Sequence, residues 1–367
     1  MANDADRTDS VERTAHPTPV EGWAVIDLFC GIGGLSYGLQ QAGLQVVAGV
    51  DANKTCKYAF ETNNGAKFLG DPLEDVSVAD IRALFPKGSS RILVGCAPCT
   101  PFSAYAAGSK SKSDKWSLVE LFLARILEIK PEIVSMENVT RLRSFKKGSV
   151  FRQFVAGLRD AGYEVVADSL NASDFGVPQR RRRLVVLASR LGRIGLPTPT
   201  QPNPRTVREA IGHLPQLRAG ETDPSDRVHR SSRLSPLNLQ RIRAAKPGRP
   251  WEEWEDRELI AECHRRETGA TYSNVYGRME WDSPSPTLTT GCFSFGRGRF
   301  GHPEQDRAIS LREAALLQSF PAQYRFLAPE ATVSFSHLGR HIGNAVPIDL
   351  AQAIGQTIRN HIKEHAR

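Results

Sequence analysis

Four short segments hold the residue types that could do chemistry. The run Gly95-Cys96-Ala97-Pro98-Cys99-Thr100-Pro101-Phe102-Ser103 sets Cys99 between prolines. Proline fixes its own backbone angle, so such a loop can hold a sulfur in one direction. A cysteine thiolate is a strong nucleophile. Two plainer readings stand beside this one. Cysteine is often a small buried hydrophobe, and Cys96 with Cys99 makes a C-x-x-C that suits redox chemistry or half a zinc site. A zinc site needs a second, spaced ligand pair, and Cys263 and His264 are adjacent instead. A thioredoxin-type site would sit early in a domain of about 100 residues, whereas several strand–helix units precede this one.

The second segment, Met136-Glu137-Asn138-Val139, offers a carboxylate for acid or hydrogen-bond work. Taken alone, a glutamate is more often solvated. In the third, Gln179 precedes four arginines, Arg180 to Arg183. Such a run usually faces solvent or phosphate. Here alternate members lead into a strand and point inward, which is costly without a partner. The fourth, Asp27-Leu28-Phe29-Cys30-Gly31-Ile32-Gly33-Gly34, is glycine-rich. Glycine lets backbone approach a ligand, and a following helix N-terminus favours negative charge. Asp51 ends the next apolar run, where a carboxylate can accept hydrogen bonds from ribose hydroxyls. A tight turn explains the glycines equally well. The loop does not separate a nicotinamide cofactor from S-adenosylmethionine.

Apolar runs of strand type precede or enclose each segment: 24–29, 46–50, 91–94, 133–136, 163–168 and 183–189. Helical periodicity marks 35–42, 54–62, 78–84, 118–129 and 151–161. This alternation predicts an α/β fold with a parallel sheet covered on both faces. Ligands bind such sheets outside the strand ends, where the cysteine and glycine loops fall. The character changes near Leu196. Four prolines, Pro197, Pro199, Pro202 and Pro204, mark a linker, and an irregular stretch with Trp251, Trp254 and Trp281 runs to about Arg307. Ser310 and Glu313 then form a capping box before a helix, and Pro347 opens a last helix over 347–362. The expected division is a flexible tail at 1–20, a catalytic domain at 21–200, a smaller irregular domain at 201–306, and a return to the catalytic domain at 307–367.

Composition narrows the class less. The chain has 367 residues, 40% apolar and 24% charged, which is ordinary for a globular protein. It carries 48 basic against 40 acidic side chains, a net charge of +8. That moderate bias suits a polyanionic partner such as nucleic acid, although many proteins with this balance bind none. No apolar run approaches the ~20 residues of a membrane helix, and residues 1–16 lack the layout of a signal peptide. The six cysteines are sparse and irregularly spaced. A disulfide framework is therefore not expected, and a cytoplasmic setting is.

Together the motifs say more than each alone. Asp27-Leu28-Phe29-x-Gly31-x-Gly33-Gly34 is followed by Pro98-Cys99 with Phe102-Ser103, Glu137-Asn138-Val139 and Gln179-x-Arg181-x-Arg183. Arg312-Glu313 with 317–321 and Gly343-Asn344-Ala345-Val346-Pro347 complete the series. In content and order this resembles the cytosine-5 DNA methyltransferase family, over residues 24–355.

The resemblance implies a Rossmann-like methyltransferase domain that uses S-adenosyl-L-methionine, with a target-recognition domain at 201–306. It implies double-stranded DNA as substrate and a cytosine rotated out of the stack. Cys99 would attack carbon 6 of that ring, and Glu137 would act at ring nitrogen 3. Arg183 would contact the ring oxygen, and Arg181 would order the site and the phosphate. Methylation would follow at carbon 5. On the cofactor side the resemblance assigns Phe29 to the adenine face, Asp51 to the ribose and Asp71 to the adenine amino group. Gly31, Gly33, Gly34 and Pro98 would shape that site, and Asn344 would bind the methionine part. Residues 103–115 resemble the family's mobile loop. No metal is implied.

The chain departs from the family pattern at Ala97, where proline is usual, and at Thr100 and His341, where glutamine is common. Cys30 stands where alanine or serine is common. None of these removes a group the chemistry needs. The spacing of Cys96 and Cys99 also leads to the expectation that oxidation could link them and silence the enzyme. Glu313 is explained by its capping box. Rival readings are an RNA methyltransferase, a binding protein without catalysis and a nicotinamide oxidoreductase. The last leaves the Pro98-Cys99 and Gln179-to-Arg183 motifs unexplained. The expected setting is a monomeric bacterial or phage modification enzyme, paired with a restriction endonuclease that acts on the same site.

Overall fold

The computed structural model describes residues 17–98, 117–266 and 272–365. A seven-stranded sheet forms its centre. In chain order the first half runs β1 (Trp23–Leu28), α1 (Gly34–Gln41), β2 (Val46–Val50), α2 (Lys57–Asn64), β3 (Lys67–Leu69), α3 (Val78–Ala83) and β4 (Ser90–Gly95). It continues with α4 (Ser117–Ile129), β5 (Ile133–Val139), α5 (Ser149–Asp160), β6 (Glu164–Asn171) and β7 (Arg182–Ser189). The strand order is β3-β2-β1-β4-β5-β7-β6.

The central strands are apolar runs because both of their faces are covered. All six residues of β1 are buried. Its side chains alternate between two cores: Trp23 and Val25 enter one, and Ala24, Ile26 and Leu28 enter the other. On the second face Phe122 of α4 stacks on Phe154 of α5, with ring centroids 6.1 Å apart.

The sheet is mixed, which corrects the expectation of an all-parallel one. β1 to β5 pair in parallel, but β7 runs antiparallel to both β5 and β6. The reason lies in the connection. A parallel return needs a crossover of a dozen or more residues, usually helical. Between β6 and β7 there is no α-helix, only a short turn of 3-10 helix, Ala172–Phe175. The chain therefore turns back on itself. The three-residue β3 was not foreseen, because three residues show no periodicity.

Among its described residues, the stretch expected to be irregular contains two α-helices, α6 (Val207–Ile211) and α7 (Pro236–Ala244), and short turns of 3-10 helix. Elsewhere in it, turns and isolated bridges replace ladders. A small apolar cluster forms there around Trp251, Trp254, Ile242 and Phe295. Buried Arg278 stands in for a ladder, donating from Nε to the carbonyls of Ile242 and Ala245 and from Nη1 to those of His302 and Gln305.

Three helices close the chain: α8 (Leu311–Leu317), α9 (Phe335–Asn344) and α10 (Ile348–His365). The capping box is present at α8, with the Ser310 hydroxyl on the Glu313 amide and the Glu313 carboxylate on the Ser310 amide. α10 crosses α1 closely. A Cβ on Gly38 would lie 2.5 Å from that of Ala351, so only glycine admits this approach. No described helix is long and apolar enough to cross a membrane.

Candidate active site

The glycine loop begins at the end of β1. Phe29 (φ 64), Gly31 (φ 52) and Gly33 (φ 89) all take left-handed backbone angles. The amides of Phe29 and Cys30 both donate to the carbonyl of Val50, which ties the loop to β2. Asp51 completes the tie: its Oδ2 accepts from the Gly31 amide at 2.9 Å and its Oδ1 from the Asn53 amide at 2.8 Å. Gly33 has a packing reason to lack a side chain, since a Cβ there would lie 2.3 Å from Asn64 Nδ2. Nothing lies within 4 Å of a Cβ built on Gly31.

Beneath the loop, Asp27 is fully buried and accepts from the Ser36 hydroxyl at 2.7 Å through Oδ2. Its Oδ1 has no hydrogen-bond partner among the described residues. Burial pushes its carboxyl up to about 7. Asp51 is also raised, first by burial, with the two amide hydrogen bonds pulling the other way.

A cavity of about 1140 Å³ opens here. Phe29, Gly31, Gly34 and Asp51 line its glycine-loop side, and Pro98, Glu137, Arg181 and Arg183 line the side below β4, β5 and β7. Asn344 reaches it from the end of α9, and residues 287–291 and 296–297 approach from the irregular region. Two expected residues are not brought to it. Gly33 is absent from its lining, and exposed Asp71 lines a separate cavity of about 320 Å³ beside β3 and α3. Cys99 and the 103–115 loop lie outside the described residues, and with them the expected link from Cys96 to Cys99.

Glu137 is nearly buried within β5. Arg183 Nε lies 3.0 Å from its Oε1, and the Cys96 thiol donates to its Oε2 at 2.9 Å. The ion pair is not aligned as a hydrogen bond, so among the described residues Oε1 is a buried acceptor without a donor. The alternation of the arginine motif is explained by its partners. Gln179, fully buried, donates to the Leu317 carbonyl and to Gln318, and accepts from the Leu288 amide. Arg181 donates to the carbonyls of Leu288 at 2.9 Å, Gly343 at 3.0 Å and Ala345 at 3.2 Å. Its inward charge is thus met by backbone oxygens, and β7 is clamped to α9 and to the irregular region.

Cys96, Cys56 and His341, none of them assigned a catalytic or cofactor role from the sequence, are among the other residues that face the cavity. His341 had a visible signal as a departure from the family pattern, and Cys96 had its C-x-x-C spacing to Cys99. Cys56 had none. Burial pushes the thiols of Cys30 and Cys56 up, and that of Cys292 to about 12, so all three are poor nucleophiles. The one group of metal-type donors among the described residues is His361, Glu364 and His365 on the last turns of α10, and none of them lines the cavity.

A mixed seven-stranded sheet with a glycine loop after β1 and a carboxylate ending β2 defines a Rossmann-like methyltransferase fold. Solved structures agree. A prophage-encoded E. coli protein assigned as a DNA modification methyltransferase superposes with a TM-score of 0.72 at 21% identity, covering 93% of this chain and 99% of that one. The Entamoeba histolytica methyltransferase EhMeth gives 0.63 at 15% identity, covering 93% and 99%. Sequence comparison then sets the family. The family model described as C-5 cytosine-specific DNA methylase matches residues 23–360. Type II methylase M.HgiDII of Herpetosiphon aurantiacus is 48% identical over 342 residues, 93% of this chain and 96% of its own. Type II methyltransferase M.XorII of Xanthomonas oryzae pv. oryzae is 31% identical, covering 92% and 85%. The chain belongs to the C-5 cytosine-specific DNA methylase family and is a DNA cytosine-5 methyltransferase.

Proposed function

We propose that this enzyme methylates carbon 5 of a cytosine rotated out of duplex DNA, through a transient bond from Cys99 to carbon 6. The observation that carries this reading is Glu137. Among the described residues its Oε1 is a buried acceptor without a hydrogen-bond donor, beside Arg183 and on the cavity wall. The cytosine edge supplies a donor in the amino group on carbon 4, a nitrogen 3 that can share a proton with the carboxyl group, and an acceptor for the guanidinium at its oxygen.

The cavity fits S-adenosylmethionine. The unpartnered Oδ1 of Asp27, the open space over Gly31 and the size of the cavity support that fit. Phe29, Gly31, Gly34, Asp51, Pro98 and Asn344 would hold it, and Gly33 and Asp71 are not among the residues that line this cavity. When bound, it supplies an electrophilic methyl group. The chain's own residues do the rest. The Cys99 thiolate forms the bond to carbon 6. Glu137 shares a proton with nitrogen 3, which draws electron density from the ring and then directs it to carbon 5. Arg183 holds the ring oxygen. After carbon 5 gains its methyl group, its proton leaves to a base, the bond from sulfur to carbon 6 breaks, and the thiolate returns. Arg181 acts at one remove, by holding Leu288, Gly343 and Ala345 around the cavity.

Residues 201–306 are assigned to target recognition, between a catalytic domain at 21–200 and its return at 307–367. The relatives M.HgiDII and M.XorII are type II enzymes by name. That supports a modification methylase protecting DNA from a restriction endonuclease of the same specificity; a monomeric state and a cytoplasmic setting are part of the same proposal. The test is incubation with S-adenosylmethionine and unmethylated genomic DNA, with Cys99→Ser alongside, followed by sequencing for 5-methylcytosine. Methylation within one short motif, lost in the variant, is expected. A folded, cofactor-binding protein that leaves DNA unmodified would overturn the reading.

A further inference from the structure

His341 sits where two parts of the molecule meet. One face of α9 is pressed against the irregular region: a Cβ on Gly343 would lie 2.3 Å from the Thr289 carbonyl oxygen, and one on Gly339 2.3 Å from the Phe293 ring. His341 lies midway between these glycines, so its side chain leaves from the opposite face of the helix. There it meets the turn after Asp51. Its Nε2 is 2.9 Å from Thr55 Oγ1, and its Nδ1 is 3.5 Å from Cys56 Sγ.

The hydrogen bonds settle which nitrogen carries the proton. Asn53 Oδ1 accepts from the Thr55 amide at 3.2 Å, so that atom is the amide oxygen. The Thr55 hydroxyl donates its single proton to the same oxygen at 2.7 Å. Thr55 Oγ1 is therefore the acceptor toward His341, whose Nε2 must bear hydrogen. Nδ1 is then free to accept from the Cys56 thiol. Burial holds His341 at about 4 and raises Cys56, so a neutral ring and an intact thiol agree with this pattern. From Asn53 the chain of bonds continues, because its amide donates to Asp51 Oδ1 at 2.8 Å.

We propose that His341 is a positioning residue for the cofactor. It pins the exposed 53–55 turn to α9 and so fixes the Asp51 carboxylate, without needing to touch the ligand itself. This rests on the reading that the cavity takes S-adenosylmethionine. Among the described residues, the other side-chain hydrogen bonds of the 53–55 turn run within 51–55, so the ring is its side-chain link to the far half of the chain.

The experiment uses the full chain without DNA. Calorimetry reads the Kd of S-adenosylmethionine for wild type, His341→Leu, Thr55→Val, the double variant and His341→Gln. Hydrogen exchange reads the amides of Asn53 to Cys56 in the same proteins without ligand. We expect His341→Leu and Thr55→Val each to weaken binding about tenfold, about 1.4 kcal/mol, with the double variant no weaker than either. His341→Gln, whose amide can still donate to Thr55, should stay within about threefold. Exchange should quicken in the first three variants and not in the glutamine variant. Thr55 is exposed, so its variant tests the idea even if His341→Leu fails to fold. Unchanged Kd and exchange in Thr55→Val would overturn the proposal, as would additive losses in the double variant. A wild type that does not bind S-adenosylmethionine would instead overturn the cofactor reading, and the exchange data would still judge the anchor.

Discussion

Arg183 Nε lies 3.0 Å from Glu137 Oε1, with the two side chains 12% and 3% exposed. They come from adjacent antiparallel strands, β7 and β5, so the pairing depends on the one reversal in the sheet. Glu137→Gln keeps the shape and removes the exchangeable charge. It should lower kcat about 10²- to 10⁴-fold while leaving thermal unfolding close to wild type. Arg183→Leu strands a nearly buried carboxylate, and urea unfolding should show a loss of about 3 kcal/mol. Equal activity in Glu137→Gln and wild type would remove Glu137 from the chemistry.

Arg181 is 2% exposed, and its guanidinium donates to three carbonyls from two distant segments. Lysine carries the charge but cannot reach three oxygens in fixed directions. Arg181→Lys should destabilise by about 2–4 kcal/mol, since each hydrogen bond to a charged group contributes about 1.5–3 kcal/mol. Differential scanning calorimetry checks this. A midpoint equal to wild type would mean the clamp is idle.

Arg307 and Glu313 form a fully buried pair, with Nη1 and Nη2 2.7 and 2.6 Å from the two carboxylate oxygens. Burial alone would raise the Glu313 carboxyl. The hydrogen bond and charge of Arg307 outweigh it and hold the carboxyl below its usual range. A depressed carboxyl stabilises the fold above the unfolded value and loses that contribution as pH falls through the folded one. Arg307→Met alone should cost about 3–5 kcal/mol, and adding Glu313→Leu should restore much of it. Urea titrations of both variants measure the difference. A double variant as unstable as the single one would contradict this.

His302, 2% exposed, is pushed down to about 4 by burial, against the upward pull of Glu313. Below an ordinary value near 6.5, an unfolded histidine takes a proton that the folded one refuses until about 4. The fold should therefore keep this contribution above pH 6.5 and lose up to about 3 kcal/mol of it on the way to pH 4. Comparing urea midpoints of wild type and His302→Gln across that range isolates the group, because other histidines are common to both. Parallel curves would show that His302 does not carry the slope.

Much of this enzyme is legible without coordinates. Buried strands must be apolar on both faces, so β1, β2, β4, β5 and β7 stand out as runs. A capping box is a bond pattern between residues three apart, so Ser310 and Glu313 announce α8. Gln179, Arg181 and Arg183 alternate because a strand has a period of two, and that inward alternation is visible in the chain. What the sequence alone left open is which atoms answer them. The carbonyls that hold Arg181 lie more than 100 residues away, and so does the Thr55 hydroxyl that orients His341. Local propensity cannot encode such partners, because they exist only once the sheet has closed. Strand direction is similar: β7 reverses because the link from β6 has no crossover helix. Family resemblance assigned Asp71 to the cofactor, and in the tertiary structure it lies just after β3, lining a smaller cavity. Types and spacings determined the chemistry available to this chain, and packing across distant segments decided which side chains share one site.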